Sequence, residues 1–203
     1  MQKLKCQSCG GPIEVENQFV RAVTCIYCGA SYVVSGGSDL SPNGKGVKLA
    51  DYPSRLSIGA RGKIQGRDFH VIGRVRYTYD SGFWEEWQIG WDDNTPPAWL
   101  EQDEGYWTLY TKMRLRGEVV SFDSIKVGQT AKINNLSVFI AEKRTAKLFG
   151  TEGQFAMVMP VQGQFGYATG SADGKIVSVN FWQDEIELSQ GEEIEPNDIE
   201  LTT

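Results

Sequence analysis

The chain has 203 residues, enough for one domain or for two small ones. Its composition, with 40% hydrophobic, 23% charged and 11% aromatic residues, is globular and argues against wholesale disorder. The net charge of −6 argues against a general DNA- or RNA-binding protein, because phosphate neutralisation requires a basic surface. No apolar run approaches the roughly 18 residues that cross a bilayer, and the N-terminus lacks the apolar stretch of a signal peptide. We therefore expect a cytoplasmic protein without a transmembrane segment.

The four cysteines lie near the N-terminus as two Cys-x-x-Cys pairs, Cys6 with Cys9 and Cys25 with Cys28. Two residues between cysteines let a tight turn direct both sulfurs at one point, and a short hairpin between the pairs closes a tetrahedral four-thiolate site. This spacing predicts a zinc ribbon over residues 1–34, with one Zn²⁺ per chain. Because so short a segment cannot hold a sufficient core, metal binding is expected to supply its folding energy.

Other uses of the four cysteines are possible. A rubredoxin-like iron site has similar knuckles, so iron stays an alternative to zinc. Disulfides require an oxidising compartment, and a redox Cys-x-x-Cys normally lies in a βαβ context; the sequence indicates neither. Residues 1–36 carry three basic and two acidic groups, fewer basic groups than nucleic-acid-binding ribbons usually have. We therefore expect a structural or protein-docking ribbon.

The segment after the ribbon changes in composition. Residues 35–53 are rich in Gly, Ser, Asn and Pro, which predicts a flexible linker and a tethered rather than packed ribbon. From Leu56 onward, runs with two-residue alternation are separated by turn signals, as is typical of a small sandwich or barrel. The prediction is an all-β chain in which a zinc ribbon precedes a β-barrel or sandwich body.

A weak internal repeat divides this body. Residues 56–59 align with residues 125–128 at an offset of 69. Three further apolar pairs align at the same offset: Ile64 with Ile133, Phe69 with Val138 and Val71 with Ile140. The alignment predicts two tandem related β units, a Trp-rich unit over 54–118 and a second over 119–203. One irregular barrel is the alternative.

The C-terminus is acidic. The last 20 residues carry eight Asp or Glu residues and no Lys or Arg. Such a run predicts a solvated terminus, and a docking surface for a basic partner is the alternative.

Five of the six tryptophans fall between residues 84 and 107. Side-chain alternation puts Trp84 and Glu86 on one face of a strand and Trp87 on the other. Because both faces carry tryptophan, we expect one face to lie partly outside, with Trp84 the most exposed. A plain aromatic core is the other interpretation. The candidate interaction surface comprises six residues: Arg74, Arg76, Trp84, Glu86, Trp87 and Trp99.

Several short motifs run through the body. They are Tyr77-x-Tyr79-Asp80, Trp84-x-Glu86-Trp87, Trp99-Leu100, Asp103-Glu104-Gly105, Gly153-Gln154-Phe155, Tyr167-Ala168, Gly191-Glu192 and Asp198-Ile199. With these motifs the chain resembles a bacterial family described as domain of unknown function 4178, whose members often carry an N-terminal ribbon. It departs from the family pattern where proline is common after the first cysteine of a knuckle, here Gln7 and Ile26. It also has Gln154-Phe155-Ala156 where the family often has Glu-x-Pro.

The resemblance implies a context rather than an activity. Genes of the family often neighbour those of phage-shock-protein-A-like membrane-remodelling proteins, small membrane proteins and polyamine-synthesis enzymes. This association implies an accessory of a bacterial envelope-stress assembly, held at the inner membrane by a protein partner such as a phage-shock-protein-A-like protein.

The sequence contains no recognisable catalytic constellation. The single histidine, His70, has no free Cys or obvious Ser or Asp partner, and the adjacent Glu85 and Glu86 point to opposite faces of a strand. No phosphate-binding Gly-rich motif is present. We predict a non-enzymatic adaptor. The alternative is a small-ligand module for a polyamine, sugar or nucleotide, in which aromatic rings stack the ligand and a polyamine is held by charge and cation–π contact. Nucleic-acid binding by the ribbon is the least favoured hypothesis.

Overall fold

The computed structural model describes residues 2–36, 39–80, 82–183 and 185–202, and within them nearly all regular structure is β. The strands are β1 (Gln2–Lys5), β2 (Pro12–Val15), β3 (Ala22–Thr24), β4 (Ala30–Ser35), β5 (Asp39–Lys45), β6 (Arg61–Ile64), β7 (Arg67–Tyr79), β8 (Gly82–Trp91), β9 (Ala98–Asp103), β10 (Tyr106–Lys112), β11 (Thr130–Ile133), β12 (Leu136–Phe155), β13 (Gly163–Ala172), β14 (Lys175–Phe181), β15 (Ile186–Glu193) and β16 (Ile199–Leu201). Short 3-10 turns cover Phe122–Ser124 and Pro196–Asp198. The all-β prediction is confirmed.

Eight of these strands close a barrel. Their order is β7-β8-β9-β10-β15-β14-β13-β12, and β12 pairs back onto β7. Every neighbouring pair in the barrel is antiparallel. An eight-stranded barrel is wide enough inside for packed side chains or for one small ligand. Of the two forms predicted for the body, a barrel or a sandwich, the structure has the barrel.

The internal repeat is visible in the backbone. β6 and β7 begin at Arg61 and Arg67, and β11 and β12 begin 69 residues later in each case. The long strand of each unit is bulged at the same point, between Val71 and Gly73 in β7 and between Ile140 and Glu142 in β12. The two stretches of chain form one barrel together, since each contributes a four-stranded meander.

The main apolar cores lie on the outside of the barrel wall. In the first unit, residues from β6, β16 and the segment around Leu56 cover the outer face of β7–β10. In the second unit, β11 and the segment around Ile125 cover the outer face of β12–β15. Four aligned apolar pairs belong to these two cores and are buried: Leu56 with Ile125, Ile64 with Ile133, Phe69 with Val138 and Val71 with Ile140. The inner face of the barrel carries a further apolar cluster around Trp84 and, beside it, polar side chains.

The ribbon is packed on the barrel, so the expectation of a tethered ribbon is wrong. β3 pairs with the end of β12, which joins the ribbon sheet β3-β4-β5 to the barrel sheet. Gly153 of β12 faces Thr24 on one side and Gly73 of β7 on the other. A Cβ atom at Gly73 would lie 2.3 Å from the carbonyl oxygen of Gln154, so the three strands can approach this closely only without side chains there.

Two composition-based predictions need correction. The predicted linker contains β5, which pairs with β4, and Leu49 of the same segment is buried. The acidic C-terminus is built into the fold: β15 is a barrel strand, and β16 pairs with β6. In both cases the polar composition predicted a segment outside the fold, but polar residues also occupy edge strands and the inner face of a barrel. Gly37, Ser38 and Asp184, which fall in these two segments, lie outside the described residues.

Candidate metal centre and ligand cavity

The four cysteine sulfurs form one cluster. All four Sγ atoms lie within 4.8 Å of one another, and none is in a disulfide. The Sγ atoms of Cys6 and Cys28 are 3.7 Å apart, and those of Cys9 and Cys25 are 3.8 Å apart. Four thiolates at about 2.3 Å from a tetrahedral metal ion would be separated by about 3.8 Å. The cluster therefore fits a four-coordinate metal ion.

Two matching turns hold the cysteines in this arrangement. The amide of Gly10 donates to the carbonyl of Cys6, and the amide of Gly29 donates to the carbonyl of Cys25, both at 2.8 Å. Each glycine has a positive φ, which closes the knuckle. Tyr32 lies beneath the cluster with its hydroxyl 3.3 Å from the Cys6 sulfur. All four ligand positions come from the protein, so the cluster leaves no open coordination site.

The six-residue candidate interaction surface lies mostly inside the molecule. Trp84 is 8% exposed, Trp87 1%, Arg74 6% and Arg76 4%, and the other two residues of the set, Glu86 and Trp99, are partly buried. The expectation that Trp84 lies outside is wrong. Both faces of β8 are covered, because Trp84 points into the barrel and Trp87 packs in the outer core.

The two arginines form a buried ion network on the outer face. The Nε atom of Arg76 donates to Oε1 of Glu85 at 2.9 Å, and Nε of Arg74 lies 3.2 Å from the same oxygen. Both guanidinium groups also donate to the carbonyl of Ala50, at 2.7 and 2.8 Å. Tyr52 covers the Arg76 guanidinium, 4.5 Å from the centre of its ring. These contacts hold the segment before β6 against the barrel and keep both guanidinium groups buried.

The barrel encloses a polar cavity of about 240 Å³. Residues from seven of the eight barrel strands line it, which places it inside the barrel. A smaller hollow continues from it, and the two share five residues: Glu86, Glu101, Tyr110, Ser178 and Asn180.

Two carboxylates lie side by side on the wall of this cavity. Glu86 on β8 and Glu101 on β9 are directly opposed in the register of the two strands. Burial raises the pKa of Glu86 to about 7, even though the Trp84 indole donates to its carboxylate at 3.1 Å. Burial and the charge of Glu86 hold the pKa of Glu101 well above its ordinary range. Like charges so opposed destabilise a sheet unless a proton or a cation compensates them.

Several polar groups in the cavity have no protein partner. Glu101 makes no hydrogen bond or ion pair with another described residue. Tyr77 and Tyr110 are 3% and 7% exposed and line the cavity. Among the described residues, no group hydrogen-bonds to either hydroxyl. The polar atoms of these three residues line the hollow and are available there to hydrogen-bond a ligand.

Of the residues that line the cavity and the smaller hollow, the sequence prediction named three: Trp84, Glu86 and Trp99. Ala98 and Leu100 alternate with Trp99, Glu101 and Asp103, a pattern typical of a strand with one apolar and one polar side. The apolar positions do face a core, but it lies outside the barrel, and the polar positions face inward. The alternation of apolar and polar residues could be seen in the sequence. Which of the two sides is enclosed depends on how the barrel closes, and this pattern does not show that.

His70, for which the sequence showed no obvious Asp partner, has two carboxylate partners in the structure. Its side chain is 12% exposed, and it lies between Glu16 of the ribbon and Asp92 at the end of β8. Its Nε2 and Nδ1 atoms are each 2.9 Å from one of these carboxylates. The hydrogen bond with Glu16 raises the pKa of His70 above its ordinary value. The histidine therefore joins the ribbon to the barrel.

Comparison with known proteins identifies the family. No helix among the described residues is long and apolar enough to span a membrane. No curated protein and no solved structure matches the chain. A family model described as domain of unknown function (DUF4178) matches residues 57–196, which include all the barrel strands. With more than half of its length matched, the chain belongs to the DUF4178 family.

Proposed function

We propose that the protein is a non-enzymatic binding protein whose small-molecule ligand lies inside the eight-stranded barrel. The observation that carries this proposal is the polar cavity inside the barrel, to which Glu101, Tyr77 and Tyr110 present polar groups that no other described residue bonds. A ligand in this cavity can take these groups as hydrogen-bond or ion-pair partners. Ligand sites are typically concave, with aromatic walls and a few convergent polar groups, as in this cavity.

The burial of four residues of the candidate interaction surface speaks against an adaptor that uses it. Trp84, Trp87, Arg74 and Arg76 are occupied by contacts within the chain. The small-ligand alternative is therefore the better supported function. A phage-shock-like partner, an envelope-stress role and a position at the inner membrane stay predictions that rest on the family resemblance.

A test of this function needs a variant with a filled cavity. Ser178→Phe places a large ring in the shared part of the hollow, and Thr145→Phe on exposed β12 surface is its matched control. Each protein is equilibrated with a bacterial metabolite extract, and retained compounds are identified by native mass spectrometry. We expect a small molecule with wild type and Thr145→Phe, and none with Ser178→Phe. Retention of the same compound by all three proteins, or of none by wild type, would contradict the proposal.

We propose zinc as the ion of the cysteine cluster, in a structural role. The support is the tetrahedral spacing of four protein thiolates, the usual arrangement of structural zinc. Elemental analysis of freshly purified protein should give one zinc per chain, and none in Cys6→Ser. Because the ribbon core is built around the cysteines, Cys6→Ser should also unfold residues 2–36 while the barrel keeps its β signal in circular dichroism. Iron in place of zinc, or a metal content unaffected by the substitution, would overturn this assignment.

A further inference from the structure

Resting on the proposed function, we infer that the ligand of the barrel is an organic cation with at least two ammonium or guanidinium groups. The first support is the balance of charge around the cavity and its continuation. The lining carboxylates are Glu86, Glu101, Asp103, Glu104, Glu142 and Glu187. The lining cations are Lys112 and Arg144.

The two lining cations are already engaged. Arg144 is paired with Glu142 at 3.0 Å, and Lys112 lies 3.3 Å from Glu187. Both basic side chains are about half exposed, so they lie towards solvent rather than in the enclosed part. The remaining carboxylates have no basic partner among the described residues. An anionic ligand would meet this uncompensated charge, whereas a cation would neutralise it.

The opposed pair Glu86 and Glu101 is the strongest point of attraction. The two residues are cross-strand neighbours inside the barrel, where a low dielectric strengthens their mutual repulsion. A proton shared between them relieves this repulsion in the free protein, and a bound cation relieves it while also satisfying Glu101. The pKa of Glu86, raised to about 7 by burial, is consistent with such an exchange near neutral pH.

The other groups in the cavity suit N–H donors as well. Tyr77 and Tyr110, at least nine-tenths buried and without partners, offer hydroxyl oxygens as acceptors. Trp84 lies among tyrosine rings, with centroids 5.0 Å from Tyr77 and 5.4 Å from Tyr167, and aromatic faces attract ammonium and guanidinium groups.

More than one positive charge is implied by the spacing of the acids. Glu101 and Asp103 are two residues apart on β9 and both line the cavity, which separates their backbone positions by about 7 Å. One ammonium group carries a single charge and so cannot compensate both carboxylates, whereas two cationic groups can each pair with one of them. A bare metal ion does not fit, because among the described residues only the cysteines bring three or more ligand atoms within 4.8 Å of one another.

The test uses spermidine and putrescine as probes, with 1,4-butanediol and succinate as neutral and anionic controls. Binding is measured at pH 8 by calorimetry and by tryptophan fluorescence. Glu101→Gln removes one cavity charge, and Glu200→Gln, on the exposed face of β16, removes the same charge elsewhere. We expect spermidine to bind wild type and Glu200→Gln alike, at least tenfold more weakly to Glu101→Gln, and not to Ser178→Phe.

Failure of this inference is distinguishable from failure of the proposed function. Equal spermidine affinity in Glu101→Gln and Glu200→Gln would overturn the cation assignment, as would a neutral or anionic compound that binds wild type but not Ser178→Phe. The second result would leave the barrel as a binding site. If neither the probes nor any extract compound distinguishes wild type from Ser178→Phe, the proposed function itself is wrong. A thermal melt of Glu101→Gln at or above that of wild type shows that weaker binding does not reflect unfolding.

Discussion

The two halves of the barrel have the same architecture and different interiors. Each half is a four-stranded meander preceded by a short strand, with a bulge at the equivalent point of its long strand. On the inside, the first half supplies Glu86, Glu101 and Asp103, whereas the strands β13 and β14 of the second half supply neutral groups: Tyr167, Thr169, Ser178 and Asn180.

The comparison shows which positions are alike in the two halves and which differ. The outer positions are apolar in both halves because each packs a core against the barrel wall. The inner positions around the hollow carry no such packing requirement, although other inner positions of both halves pack together in an apolar core inside the barrel. The charge asymmetry is therefore not a consequence of the fold, and this supports a role for the first half in ligand binding.

The prediction with the largest expected effect tests whether the two outer cores contribute equally to stability. Ile64 and Ile133 occupy equivalent positions and are 1% and 0% exposed. We expect Ile64→Ala and Ile133→Ala each to lower the free energy of unfolding by about 2–5 kcal/mol, because each leaves a cavity in a closed core. Urea denaturation measures this. A loss confined to one of the two variants would mean that the halves are not equivalent in stability.

A smaller effect tests the difference between the interiors. At pH 8 without ligand, Glu86→Gln should raise the free energy of unfolding by about 2 kcal/mol, because it removes a carboxyl group that is ionised at this pH despite the cost of its burial. Ser178→Ala in the second half should change it by less than about 1 kcal/mol. Denaturation at fixed pH checks both. A destabilised Glu86→Gln would show that the carboxylate is held by stabilising contacts.

The Glu86 carboxyl should also make the stability of the protein depend on pH in a defined direction. In the unfolded chain Glu86 loses its proton near its ordinary pKa of 4.5, whereas in the folded protein it keeps the proton to about pH 7. The folded state binds more protons in this interval, so stability should fall as the pH rises through it, and less steeply in Glu86→Gln. The groups that face Glu86 are Tyr77, Glu101, Asp103, Tyr110, Lys112, Glu142, Arg144 and Glu187. Identical pH profiles for wild type and variant would contradict this assignment.

The prediction with the smallest expected effect concerns a position of the repeat that carries different residues in the two halves. His70 bonds Glu16 of the ribbon, and its equivalent at the offset of 69 is Phe139, which is 51% exposed. His70→Ala should cost about 1–2 kcal/mol of ribbon docking, and Phe139→Ala less than about 0.5 kcal/mol. Because the pKa of His70 is raised, its contribution is full at pH 6 and lost as the pH rises above that pKa. Hydrogen exchange of the β3 amides measures docking, and equal exchange in both variants would contradict this role.

Local patterns were sufficient for part of this structure. The Cys-x-x-Cys spacing predicted the cluster of four cysteines, and the offset of 69 aligned the strands β6 and β7 with β11 and β12, because both signals are local patterns of residues. The inside of the barrel could not be inferred in this way. Alternation in β9 shows that Leu100 and Glu101 point to opposite sides, but which side is enclosed depends on the pairing of β12 with β7 far along the chain. The burial of Trp84 and the opposition of Glu86 and Glu101 follow from that closure.

The position of β12 has a consequence for the order of events during synthesis. The ribbon leaves the ribosome before the barrel, yet β3 pairs with residues 153–155 at the end of β12. Closure of the barrel also requires residues 150–153 to reach β7. Contacts between such distant residues form late, since the intervening chain must be made and ordered first. The ribbon is therefore held in its final place only when most of the barrel has emerged.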